Sequence, residues 1–248
     1  MMPDDLPRFL PVIQRPEAGA AVPTTPPVFE RIAIVGVGAV GGSIALAARR
    51  AWPSALVIGL DRHDVLERAM VAHAVDVAST DPMIVSEADL VVLATPVEEI
   101  IRLIPGLPSQ LAGEAVVTDV ASVKGPVAAA AAALPARLAF VGGHPLAGVE
   151  AGFAHARPDL FAGRPWLLAP SGAGGASQAP FEKLSSFVAG LGAVPVVLPS
   201  AEAHDEWVAS IDRVIAGLEA LRPGLGARET LERLLDAALE RRAFLPRP

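Results

Sequence analysis

The sequence predicts an α/β fold: a doubly wound, mainly parallel sheet with a short C-terminal helical appendage. Three observations predict it. Short β-branched runs alternate with Ala-rich stretches from Arg31 onward, most of those runs are continuously apolar, and the first run leads straight into a glycine-rich turn. Strand–helix alternation is the pattern of parallel sheets, and a strand covered on both faces has no polar side to show.

The predicted strands are IAIVGV (32–37), ALVIGL (55–60), VDVAS (75–79), LVVLATP (90–96), AVVTDV (115–120), LAFVGG (138–143), PWLLAP (165–170) and AVPVVLP (193–199). Candidate helices lie between them at about 40–51, 63–72, 97–104, 123–133 and 178–190, and SGAGGAS (171–177) reads as a flexible loop. Residues 1–28 hold Pro3, Pro7, Pro11, Pro16, Pro23, Pro26 and Pro27. Such a segment cannot form a helix or a central strand, so a disordered or loosely docked arm is expected. Residues 29–199 then make the sheet domain and 200–248 the helical appendage. Ser200 can cap a helix on which Trp207, Ile211, Val214, Ile215, Leu218 and Leu221 recur at helical spacing until Pro223 and Gly224. A second amphipathic helix carries Leu231, Leu234, Leu235, Ala238 and Leu239 on one face.

Composition excludes several classes of protein. Of 248 residues, 52% are hydrophobic and 19% charged, so a sizeable core is available and wholesale disorder is excluded. The absence of cysteine removes disulfides, Cys-ligated zinc, iron–sulfur clusters and a thiol nucleophile. A net charge of −7 argues against a nucleic-acid surface. The uncharged stretch 32–48 is interrupted by Gly36, Gly38, Gly41 and Gly42 and reads as strand, turn and helix rather than a membrane span. No basic n-region followed by an apolar h-region stands at the start. The expectation is a soluble cytoplasmic protein with neither nucleic acid nor membrane as partner.

The first strand runs into Gly36-Val37-Gly38-Ala39-Val40-Gly41, a G-x-G-x-x-G pattern with a strand before it and a helix after. Gly36 permits the tight turn, Gly38 lets a pyrophosphate approach the backbone, and Gly41 lets the helix sit close on the strand. Ala39 and Val40 open that helix, whose free N–H groups suit phosphate oxygens. The second strand ends at Asp61, twenty residues after Gly41, where an acid accepts hydrogen bonds from ribose hydroxyls and repels a 2′-phosphate. A Rossmann-type domain binding NAD is therefore expected, with Arg62 keeping NADP as the lesser alternative.

In such sheets, ligands lie at the carboxyl ends of the strands. Thr95 and Pro96 end the fourth strand and neighbour the cofactor, or form an ordinary turn with Pro at helix N1. Ser122 and Lys124 follow the fifth strand; Ser122 either faces the crevice or caps helix 123–133, and both can hold. His144 ends the sixth strand between glycines and a proline, where an imidazole suits a general base. His63 and His73 read as surface residues and His155 as a solvated loop residue, while His204 either closes over the crevice or is a solvated helix end. No His–carboxylate set has zinc spacing, so no metal is expected.

Taken together, VGVGAVGGS, LDRH, ADLVVLATPVEEI, VTDVASVKGPV, FVGGHPLAGVEAGF and, less strongly, AEAHDEW resemble the prephenate and arogenate dehydrogenase family of tyrosine biosynthesis. These stretches cover about 31–210 in the family's order. The resemblance implies an NAD-dependent oxidative decarboxylation of prephenate to 4-hydroxyphenylpyruvate, or of arogenate to tyrosine. By motif, it implies that His144 takes the 4-hydroxyl proton, and that Ser122 hydrogen-bonds the same region and orients His144. It also implies that Lys124 and Glu150 belong to the polar shell around substrate and that His204 matches the histidine opening the family's helical domain. In the family that histidine precedes a motif close to Ser-His-Leu-Pro-His, then a long helical region that supplies the dimer and a substrate-binding arginine. Here HDEWVASI runs into DRVIAGLEALRPGLGARETLERLLDAALERR, similar only to the final two helices. The resemblance thus implies a shortened helical domain, a homodimer through its C-terminal helices, and no assignment of the arginine among Arg213, Arg222 and Arg228. Two further readings stay open: a catalytically weak nucleotide-binding remnant with a regulatory role, and a hydride-transfer enzyme for another small acid.

Overall fold

The structure, a computed structural model, describes residues 26–170 and 178–221. The expected arm (apart from 26–28), the loop 171–177, the helix stop at Pro223 and Gly224, and the second C-terminal helix lie outside the described residues.

Among the described residues, eight strands form one sheet in the order β3-β2-β1-β4-β5-β6-β7-β8. They are β1 (Arg31–Val35), β2 (Leu56–Leu60), β3 (Val77–Ser79), β4 (Leu90–Leu93), β5 (Ala115–Asp119), β6 (Leu138–Pro145), β7 (Pro165–Pro170) and β8 (Val194–Val197). Every pairing is parallel except β6 with β7. The first six strands have the doubly wound order, which reverses direction between β1 and β4.

The continuously apolar strands follow from a core on each face. Along β1, Ile32 and Ile34 enter one cluster, whereas Ala33 and Val35 enter the other. Helices α1 (Ala39–Ala51), α2 (His63–Val71) and α6 (Gln178–Gly190) cover the first face through Ile44, Leu66 and Phe187. Helices α3 (Val97–Leu103), α4 (Leu107–Gln110) and α5 (Gly125–Ala131) cover the second through Ile100, Leu107 and Val127. Trp52 stacks on Phe187 at 5.2 Å between centroids, tying the end of α1 to α6.

Two elements depart from expectation for local reasons. β3 starts only at Val77; just before it the Asp76 carboxylate, rather than a backbone carbonyl, takes the Val57 N–H at 2.9 Å. The helix expected over 97–104 forms as α3, and beyond it a 3₁₀ turn at Ile104–Gly106 and α4 follow rather than a longer helix, because Pro105 and Pro108 remove the donors a continuous helix needs. The helix expected over 123–133 starts at Gly125, with Lys124 rather than Ser122 at its cap position. Its first amides are taken by Asp205, from a helix eighty residues away.

That helix, α7 (Ala201–Leu221), packs against α5 and β7. Ser200 Oγ accepts the Ala203 N–H at 3.2 Å, so the cap read from sequence forms. Ala201 and His204 are buried, while Val214, further along, is 51% exposed. No helix among the described residues is long and apolar enough to cross a membrane.

Candidate active site

At the switch point each glycine of the first turn meets a different constraint. Gly36 has φ +94°, and a Cβ there would lie 2.7 Å from the Ala94 carbonyl carbon. At Gly41 a Cβ would lie 1.9 Å from the Gly36 carbonyl oxygen. Gly38 is the opposite case: nothing lies within 4 Å of where its Cβ would be. It caps α1, with no side-chain hydrogen bond to the helix amides and no acid in the first turn. The space beside Gly38 and the open amides of Ala39 and Val40 suit an anion.

Two side chains complete this cradle. Asp61 accepts from Val37 N at 2.7 Å and from Arg62 N at 2.6 Å, which holds its carboxylate against the glycine turn. Two donors leave a carboxylate with acceptor capacity to spare. Thr95 lies against Gly36, and its hydroxyl is buried without a partner. A buried hydroxyl normally finds one, so Thr95 is suited to meet a ligand group. Pro96 stands at the cap of α3 rather than at its first turn. These residues fit a dinucleotide.

The other half of the crevice lies at the ends of β5 and β6. Asp119 and Lys124 are both buried and form an ion pair. Asp119 also accepts from Ala121 N at 3.0 Å and Gly143 N at 3.1 Å, which pins β6 one residue before His144. Burial pushes the Asp119 carboxyl up and the Lys124 ammonium down, and each charge opposes the other's shift. The two glycines before His144 are explained here. A Cβ on Gly142 would meet Lys124 Cδ at 2.9 Å, and one on Gly143 would meet the Asp119 carbonyl oxygen at 2.6 Å.

His144 Nδ1 lies 3.0 Å from His204 Nε2, and His204 Nδ1 lies 2.8 Å from Asp205 Oδ1. Asp205 also accepts from Lys124 N at 2.7 Å and Gly125 N at 2.8 Å. Burial first, then the neighbouring His204 ring and the Lys124 ammonium, push His144 down to about 3. A pKa this low leaves the ring a neutral imidazole, with one N–H, at neutral pH. Burial also lowers His204, against the opposing pull of Asp205. Burial works to raise Asp205, but its backbone donors and His204 hold it below the usual carboxylate value.

The structure thus brings Gly36, Gly38, Ala39, Val40, Gly41, Asp61 and Thr95 together at one end of the crevice, and His144, Lys124 and His204 at the other. It corrects three expectations. Lys124 is buried against Asp119, so it faces the protein rather than a substrate. His204 is wholly buried against His144, so it is not a solvated helix end. The bond that orients His144 comes from His204, not from Ser122, which is exposed beside the loop. Arg62 is exposed and faces Asp64 at 3.8 Å; Glu150 is exposed and faces His155 at 3.5 Å. Arg213 is exposed and donates to Ser210 Oγ; Arg222 and Arg228 lie outside the described residues. Sequence reasoning missed the roles of Asp119 and Asp205. The signal for Asp119 was an acid closing an otherwise apolar, doubly covered strand, a position that requires a partner. Among the described residues, no group of three or more His, Cys, Asp or Glu side chains is placed to hold a metal ion.

Residues 44–197 match the family described as prephenate dehydrogenase, nucleotide-binding domain. The chain belongs to the prephenate dehydrogenase family. A prephenate dehydrogenase from Bacillus subtilis is 39% identical over 148 residues, 57% of this chain and 39% of that protein. The crystal structure of Synechocystis arogenate dehydrogenase is 28% identical with a TM-score of 0.67, covering 83% of this chain and 74% of that one. The Aquifex aeolicus prephenate dehydrogenase in complex with hydroxyphenyl propionate and NAD+ is 25% identical with a TM-score of 0.66, covering 84% and 78%. The chain spans half or less of the length of the curated relatives it matches, between 39% and 50%.

Proposed function

We propose that this chain carries out the NAD-dependent oxidative decarboxylation of prephenate to 4-hydroxyphenylpyruvate, or of arogenate to tyrosine, in the cytoplasm. The observation that carries this reading is a half-buried His144, hydrogen-bonded to His204, at the carboxyl end of β6, the end of the sheet that also holds the glycine turn. Family membership and the relative bound to hydroxyphenyl propionate and NAD+ support it.

The chemistry follows from the substrate's bonds. The carbinol carbon gives up a hydride, and the ring carbon bearing the carboxylate loses carbon dioxide. The electron pair of that broken C–C bond stays in the ring, which becomes aromatic. NAD, when bound along the glycine turn, supplies the hydride acceptor. His144 Nε2 takes the 4-hydroxyl proton as the hydride leaves and returns it to the same oxygen, which ends as a phenol. The lowered pKa leaves the ring neutral, with a nitrogen lone pair to take that proton, though with less basicity than an ordinary imidazole. Ser122 is suited to hydrogen-bond the 4-oxygen from the exposed side of the loop, and Glu150 to line the outer polar shell. Lys124 acts from behind: its buried ammonium disfavours a second positive charge on His144. Asp61 favours NAD over NADP, because a carboxylate there repels a 2′-phosphate. The apolar stripe Trp207, Ile211 and Val214, half-buried to exposed on α7, is the surface suited to a homodimer.

The test is NADH production by the purified chain with NAD and prephenate, then with arogenate. His144→Asn is expected to lower turnover about 10²–10⁴-fold while NAD affinity by calorimetry is kept, because it removes the base and no cofactor contact. Equal loss of both overturns the role of His144. No turnover in the parent chain with NAD binding intact favours the nucleotide-binding remnant.

A further inference from the structure

We propose that His204 and Asp205 fix the tautomer of His144, holding its proton on Nδ1 and leaving Nε2 as the nitrogen that accepts a proton. The catalytic meaning rests on the reading of His144 as base; the tautomer is a property of the free protein.

The argument is one of donors and acceptors. Asp205 is an ionised carboxylate that accepts two backbone N–H groups, from Lys124 and Gly125. An ionised carboxylate can only accept, so the His204 Nδ1 beside it at 2.8 Å carries a proton. A neutral imidazole has one N–H, so His204 Nε2 is an acceptor. His144 Nδ1, at 3.0 Å from it, must then donate. That leaves the lone pair of His144 on Nε2. The alternative is a doubly protonated His204, which would donate from both nitrogens, force the proton of His144 onto Nε2 and remove the base. Burial of His204 at 0% exposure, within the field of the Lys124 ammonium, works against that cation.

The same contacts give α7 a positioning role. Asp205 is held by the amides at the start of α5, so α7 must dock on α5 for the chain Asp205–His204–His144 to align. His204 is a positioning residue: it touches His144, not the reacting atoms.

The experiment is long-range ¹H–¹⁵N correlation of histidine rings in the full chain near neutral pH with no ligand added, His144 being assigned by its loss in His144→Asn. The expected result is an Nδ1–H tautomer for His144. In His204→Leu, His144 should shift toward the Nε2–H tautomer that free histidine prefers. In His204→Gln, whose amide oxygen can accept from Nδ1–H, the native tautomer should return in part. Turnover should follow: about a tenfold or greater loss of kcat in His204→Leu with KM little changed, and partial recovery in His204→Gln. An Nε2–H tautomer in the parent chain overturns the proposal without any variant, as does an Nδ1–H tautomer that survives His204→Leu. An Nδ1–H tautomer in a chain that turns over neither prephenate nor arogenate supports the proposal and removes the proposed activity instead.

Discussion

The glycine turn after β1 and the histidine pair after β6 lie at the same end of one sheet, yet they are held in different ways. The glycine turn is almost all backbone: its geometry depends on the absence of side chains at Gly36 and Gly41, within six consecutive residues. The histidine end is almost all side chain. It links Asp119, Lys124, His144, His204 and Asp205, which span eighty-six positions from first to last, through one buried ion pair and a run of hydrogen bonds. A backbone site is fixed by sterics and tolerates no added atom where backbone packs against backbone, as at Gly36 and Gly41. A side-chain site is fixed by paired charges in a buried setting and tolerates no missing partner. The two halves should therefore fail differently when altered.

The largest effect is expected in the backbone half. Gly41→Ala places a Cβ at 1.9 Å from the Gly36 oxygen, a contact with backbone that no rotamer can relieve. It should cost about 3 kcal/mol or more, at the upper end of overpacking, and remove NAD binding with it. Chemical denaturation and calorimetry check both. A variant that melts like the parent would show that α1 can slide away from β1, and that the turn is less rigid than described.

The side-chain half is tested by Lys124→Met. It leaves the Asp119 carboxylate buried without its cation and should cost about 3–5 kcal/mol, the range for one broken partner of a buried pair. Its pH dependence separates it from simple packing loss. Asp119 is already raised in the folded protein by burial, and losing the opposing ammonium raises it further. A group whose folded pKa exceeds its unfolded value binds more protons when folded, so its stability is present at low pH and lost as pH rises through the folded value. Lys124→Met should therefore be less destabilised at about pH 5 than at about pH 8. Adding Asp119→Asn should recover much of the loss and flatten that dependence. A pH-independent penalty would mean that the methylenes of Lys124, not its charge, matter.

The same contrast explains what the sequence revealed. The glycine turn, Asp61 and the doubly covered strands were legible because their causes are local: a glycine at φ > 0 or under a backbone atom has no substitute, and strand burial repeats residue by residue. His144 was legible by its place at a strand end. The partners of His144 were not. Lys124 looked like a substrate contact because nothing nearby in sequence says that its stem runs behind Gly142 into Asp119. His204 looked like a helix end, and is one; that it points inward is decided by Asp205 reaching the amides of Lys124 and Gly125, a contact across eighty positions that no periodicity encodes. Ser122 looked like a cap, but Asp205 takes that place from outside the segment.

The smallest effect on stability is expected at Gly38, where it sharpens the comparison most. Gly38 has φ −77° and ψ −152°, a conformation open to alanine, and nothing lies within 4 Å of the added Cβ. Alanine is a somewhat poorer N-cap than glycine, but it also reduces the freedom of the unfolded chain, by about 0.4–1 kcal/mol. The two terms are of similar size and opposite sign, so Gly38→Ala should leave the melting curve nearly unchanged. NAD affinity should still fall at least tenfold, because the methyl occupies the space through which a pyrophosphate reaches the amides of α1. Gly41→Ala and Gly38→Ala lie three residues apart and make the same chemical change. If the first removes the fold and the second only the ligand, then the empty space at Gly38 is kept for a cofactor and not for packing. If Gly38→Ala binds NAD as the parent does, the turn holds its phosphates elsewhere, and the cradle of Ala39, Val40 and Thr95 must be redrawn.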